Sequence, residues 1–96
     1  MREYYISDHA VINFQERVAF VPSDEVRSII NTQINKRPPW SFVNWDRCLN
    51  PVYKGEYNDL GFYIIMKYDE DKKRDYIATI LNLEAKLQTR YVVKKN

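Results

Sequence analysis

The periodicity of the chain changes at Pro38-Pro39, and that change constrains the fold more than any other feature. Before the prolines, apolar residues recur at helical spacing; after them, they alternate in twos. A chain divided in this way predicts an α+β domain, with helices gathered in the N-terminal half and an antiparallel sheet in the C-terminal half.

In the first half, Glu3 to Ile6 reads as a short strand or an extended lead-in. Ser7 and Asp8 are suited to cap a helix, because a short side-chain oxygen accepts an orphan backbone N–H. From His9 to about Val18, Val11, Phe14 and Val18 fall on one apolar face. A second helix is predicted after Pro22, with Ser23 as N-cap and Asp24 and Glu25 in the positively polarised first turn. Val26, Ile29, Ile30 and Ile34 form its buried stripe. Arg37-Pro38-Pro39 ends it, since proline cannot continue the hydrogen-bond ladder.

In the second half, Trp40, Phe42, Val43 and Trp45 read as a strand or an aromatic loop, Asn50-Pro51 as a turn, and Val52 to Tyr57 as a strand. Leu60 to Tyr68 alternates most clearly. Phe62, Ile64 and Met66 share one face, and Tyr63, Ile65 and Lys67 the other. A charged hairpin connection without glycine, Asp69 to Asp75, leads into Asp75 to Leu83. There Ile77, Thr79 and Leu81 are expected on one face, and Tyr76, Ala78 and Ile80 on the other. Apolar residues on both faces place these two strands in the middle of the sheet. Residues from Glu84 to Lys95 read as extended structure or a short helix. The expected architecture is two N-terminal helices on a curved antiparallel sheet of about four strands, in a single domain spanning residues 1–96.

Composition narrows the functional classes. With 45% apolar and 29% charged residues the chain has ordinary globular usage. Eight tyrosines among 96 residues are more than a core this small can bury, so some are expected at the surface. The net charge of +2 is too small to argue for nucleic acid, and Lys86, Arg90, Lys94 and Lys95 concentrate the excess in the tail. Cys48 is the only cysteine, which rules out an intrachain disulfide and fits a reducing, cytoplasmic location. The start, Met-Arg-Glu-Tyr-Tyr-Ile-Ser, does not read as a signal peptide. No stretch approaches the ~20 apolar residues of a membrane span. Too few His, Cys and clustered carboxylates are present for a metal site, and two glycines cannot build a phosphate-binding loop, so no cofactor is expected.

One polar set remains. His9, Asn13 and Arg17 follow each other at four-residue steps and form a stripe beside the apolar face of the first helix. An imidazole can move a proton near neutral pH and a guanidinium can hold phosphate oxygens in a fork. The same spacing equally suits a helix-start histidine and an arginine paired with a carboxylate.

The run Ile6-Ser7-Asp8-His9-Ala10, Phe14, Arg17-Val18, followed by Ser23-Asp24-Glu25-Val26, resembles the opening of small toxin-like domains with the pattern S-x-H-A-x-x-R-M-x-x-R. Tyr63-Ile64-Ile65 and Tyr76 through Leu81 are similar to the paired C-terminal strands of that family, the last of which carries a threonine. The family is grouped with the barnase–EndoU–colicin–RelE ribonucleases. The resemblance implies a RelE-like fold and metal-independent RNA cleavage. His9 would be the general acid or base, Arg17 would stabilise charge on the phosphate and Thr79 would help place it. Tyr63 and Lys67 are further candidates for contact with RNA. Asn13 stands where the family often has arginine, which removes one phosphate contact.

That departure admits a second class of function on the same scaffold. It is a non-enzymatic protein of the phage or mobile-element kind that inhibits a host factor or sequesters a nucleotide. Trp40, Phe42 and Trp45 would be its anchors, or else part of an ordinary core. A homo-oligomer is also compatible with such a surface.

Overall fold

A computed structural model of the chain describes residues 3–36, 42–46 and 48–83. The elements are β1 (Tyr5–Ile6), α1 (Asp8–Arg17), α2 (Ser23–Ile34), β2 (Phe42–Trp45), β3 (Pro51–Tyr57), β4 (Leu60–Asp69) and β5 (Arg74–Asn82). Two helices lie on one face of a sheet whose order is β1-β5-β4-β3-β2. Among the described residues the sheet therefore has five strands rather than about four. It is also mixed rather than antiparallel, because Tyr5 and Ile6 pair in parallel with Tyr76 and Ile77. β4 and β5 are central, as their two apolar faces predict.

Local chemistry sets the boundaries. Ser7 caps α1, its Oγ accepting the Ala10 N–H at 3.1 Å. Val18 closes the helix, its N–H donating to Phe14 O at 2.8 Å. Ser23, which the sequence marks as the cap of α2, is its first residue instead. Pro22 occupies the cap position and no side chain caps the helix there. α2 stops at Asn35, whose N–H donates to Asn31 O, ahead of the prolines. Asn58 and Asp59, with φ of 48° and 65°, make the left-handed two-residue turn that joins β3 to β4. Asn and Asp tolerate that conformation, and its twist matches the flanking strands. In the next hairpin Lys73 takes the positive φ of 50°, while Asp69 Oδ1 accepts the N–H groups of Asp71 and Lys72. Between β2 and β3, Asp46 Oδ1 accepts from the N–H groups of Cys48 and Asn50 and so organises the turn.

The core lies between helices and sheet. Phe14 of α1 meets the Phe62 ring edge-on at 5.3 Å, and Val26, Ile30, Ile64, Ile77 and Ile80 close around them. α2 comes so near to β3 that a Cβ on Gly55 would stand 2.9 Å from Gln33 Cβ. The missing side chain lets the buried Gln33 accept the Glu56 N–H at 3.0 Å.

The alternation expected from Asp75 to Leu83 fails at Ala78. Ile65 pairs with Thr79 and Met66 with Ile77, so Ala78 is the extra residue of a β-bulge. The bulge brings both Ile77 and Ile80 into the core. Thr79 and Leu81 share the opposite face with Tyr76, since their partners Ile65, Tyr63 and Lys67 lie there. Trp40, the Arg37-Pro38-Pro39 stop and the segment from Glu84 to Lys95 fall outside the described residues.

Candidate functional site

The polar stripe of α1 meets the sheet at the outer margin of β5. β1 covers that margin for only two residues, so the groups beyond Ile77 need other partners. The helix and its cap supply them. Ser7 N–H donates to Ile77 O at 3.0 Å, and Ser7 Oγ donates to Ala78 O at 3.2 Å. Asn13 Oδ1 accepts the Ile80 N–H at 3.4 Å, and Arg17 Nη1 donates to Ile80 O at 2.7 Å. Four successive edge groups of β5 are thus satisfied by three residues that lead into or lie along α1.

This seam gives Asn13 a physical reason. Its side chain is 3% exposed and faces a backbone donor, so the position requires an acceptor. Arginine, which the toxin-like pattern favours there, has donors only. The sequence presents Asn13 as a lost phosphate contact, whereas the structure gives it a backbone partner.

The remaining candidates are distributed as follows. His9 is exposed in the first turn of α1 and forms no hydrogen bond or ion pair among the described residues. It lies eight residues from Arg17, about 12 Å along the helix axis. Arg17 is exposed apart from its bond to Ile80 O. Thr79 follows the bulge, and its side chain projects to the face away from the helices, half-buried beside Ile65. Tyr63 and Lys67 share that face with Thr79, and so does the fully buried Val52, the partner of Ile65. The structure therefore joins Asn13 and Arg17 at Ile80, and groups Thr79, Tyr63 and Lys67 on the opposite side of the strand.

A third set stands at the other margin of the sheet. Trp45 is 41% exposed, and its ring meets Phe42 at 5.4 Å. Phe42 in turn meets Tyr53 of β3 at 5.8 Å. The Tyr53 hydroxyl is pushed above the usual tyrosine range, first by burial and then by the nearby Tyr4 and Asp75.

Sequence reading did not single out Ser7 as a link to β5, nor Tyr5, Arg27, Asn31 and Arg74, which line one cavity beside β1. Those residues come from three separate segments, and no local spacing connects them. Among the described residues, no group of His, Cys, Asp or Glu could hold a metal ion, and no helix is long and apolar enough to cross a membrane. No family model, curated protein or solved structure matches the chain.

Proposed function

We propose that the chain is a non-enzymatic binding protein on a RelE-like scaffold, which captures and inhibits a host-cell protein through its β2 margin. The observation that carries this reading is the Trp45–Phe42–Tyr53 cluster. An exposed indole rests on a ring that is itself held by a β3 tyrosine, at the edge of the sheet. Rigid aromatic side chains of this kind lose little conformational entropy on binding and dominate interface hot spots. β2 also has the short length and exposed apolar side chains, Val43 and Trp45, that suit addition of a partner segment.

Affinity capture from a host lysate tests the reading when wild type is run beside Trp45→Ala and His9→Ala. The expected result is one stoichiometric partner retained by wild type and His9→Ala and lost by Trp45→Ala. Equal recovery by all three proteins would sink it.

Metal-independent RNA cleavage is the second reading; it rests on the exposure of His9 and Arg17, whose side chains would have to reach one RNA backbone across about 12 Å of α1. Arg17 uses one N–H on Ile80 O, which orients the guanidinium and leaves further donors for a phosphate. On this reading the ribose 2′-oxygen bonds to phosphorus as the bond to the 5′-oxygen breaks. His9 takes the 2′-hydroxyl proton and water supplies one to the departing oxygen. RNA that shortens in excess chelator with wild type, and survives with His9→Ala, would establish this reading in place of the first.

A further inference from the structure

The outer side of the two helices carries a knob and a groove. The knob is Phe20, in the connection between α1 and α2, and it is 87% exposed. Its neighbours Val18, Ala19 and Val21 are partly buried and pack against the core. The connection is fixed at both ends. Val18 N–H and Ala19 N–H donate to Phe14 O, and Gln15 Nε2 donates to Val21 O at 3.0 Å. A ring held out by a packed connection is ordered in advance, so covering it costs little entropy.

The groove runs between α1 and α2 and has a volume of about 300 Å³. Val11 forms its buried floor, and Ile12, half in solvent, its lip. Asp8 and Arg27, paired at 2.9 Å, mark one end. Gln15 and Ser23 mark the other, next to the connection that holds Phe20. A cavity of about 150 Å³ already admits a benzene ring. The groove therefore has room for a phenylalanine side chain, and its Arg27 wall suits the face of an aromatic ring.

From this pairing of knob and groove we infer that the occupant is a second copy of the chain. The two copies form a two-fold dimer that seats each Phe20 in the groove of the other. Because Phe20 stands beyond the Gln15–Ser23 end of its own groove, the helices of the two copies must run antiparallel. That arrangement turns Asp8, in the first turn of one α1, towards Arg17, in the last turn of the other. The Asp8 side chain is 89% exposed despite its pair with Arg27, so unlike charges meet across the rim. Helices of 10 and 12 residues side by side present a face of roughly 15–18 Å by 20 Å. This area lies at the low end of specific interfaces, so the dimer forms at high concentration and separates on dilution. The contact uses no residue of β2, and its failure leaves the partner-binding reading untouched.

Sedimentation equilibrium from about 10 µM to about 1 mM measures the association of wild type, Phe20→Ser and Ile12→Glu. Wild type should pass from monomer to dimer across that range. Each variant should associate at least about tenfold more weakly, as loss of an interface anchor requires. An equimolar mixture of the two variants is the sharper measurement. The Ile12→Glu chain still carries Phe20, and the Phe20→Ser chain still carries an unaltered groove, so one seating of two is restored. The mixture should associate more tightly than either variant alone, which also shows that both chains are folded. The inference is overturned if wild type stays monomeric at the highest concentration, if either variant associates as wild type does, or if the mixture gains nothing over its components. A dimer lost in Trp45→Ala and kept in Phe20→Ser would place the contact at β2 and overturn it as well.

Discussion

The two margins of the sheet handle the same problem in opposite ways. At the β5 side, the edge left by a two-residue β1 is covered by Ser7, Asn13 and Arg17, which satisfy its backbone groups one by one. At the β2 side, the sole described strand neighbour is β3, and exposed Val43 and Trp45 stand at the boundary. An uncovered sheet edge is a template for another chain. The contrast shows that polar residues on a helix can insulate a sheet as readily as they can hold a ligand. The residues that insulate β5 are those that, as sequence, look most like chemistry. The aromatic residues at β2, which sequence alone cannot tell from core, include the exposed Trp45.

The strongest way to break this contrast is to detach α1. Phe14 anchors the helix against Phe62 and Tyr57 and is fully buried. Phe14→Ala should lower unfolding free energy by about 3–5 kcal/mol, measured by urea denaturation. A loss below about 1 kcal/mol would mean that the helix is not held by that ring.

A smaller and more specific break is Asn13→Leu. It removes the acceptor for the Ile80 N–H in a buried place, and should destabilise by about 1–3 kcal/mol. Asn13→Arg, which introduces the arginine of the toxin-like pattern, supplies no acceptor and should do at least the same harm. Hydrogen exchange at the Ile80 amide gives the local readout: faster in both variants if the seam is as described, unchanged if Asn13 is dispensable there.

Much of the architecture was legible because it is written in local patterns. The switch from helical to alternating spacing at Pro38-Pro39 separates helices from strands, and the apolar alternation in β4 and β5 marks both as central. The Ala78 bulge was not legible, because no glycine or charge marks it and one extra residue reverses the facing of everything beyond it. The parallel pairing of β1 with β5 was hidden as well, since it joins Tyr5 to Tyr76 across most of the chain. For the site, the stripe was visible but its role was not. Asn13 and Arg17 have the same spacing whether or not they bond the Ile80 backbone, and those bonds depend on how α1 docks against β5. The cavity beside β1 left no trace in spacing, because its walls come from residues far apart in sequence.

The smallest expected effect concerns a side chain, Tyr53, that senses both margins. Tyr53 packs its ring against Phe42 of β2, while its hydroxyl feels Tyr4 and Asp75 near the β1 side. Burial first, then these two neighbours, raise its pKa above the usual value. The folded protein therefore keeps a proton that the unfolded chain releases once the pH passes about 10. Below that pH both states are protonated, and the stabilisation is fully present. As the pH rises from there towards the folded-state value, the unfolded state binds fewer protons, so stability falls. Urea denaturation of wild type and Tyr53→Phe at stepped alkaline pH isolates this contribution from that of the other tyrosines. The variant should lose stability less steeply above pH ~10. Parallel pH profiles for the two proteins would show that the Tyr53 hydroxyl does not couple the margins, and that they are linked through packing alone.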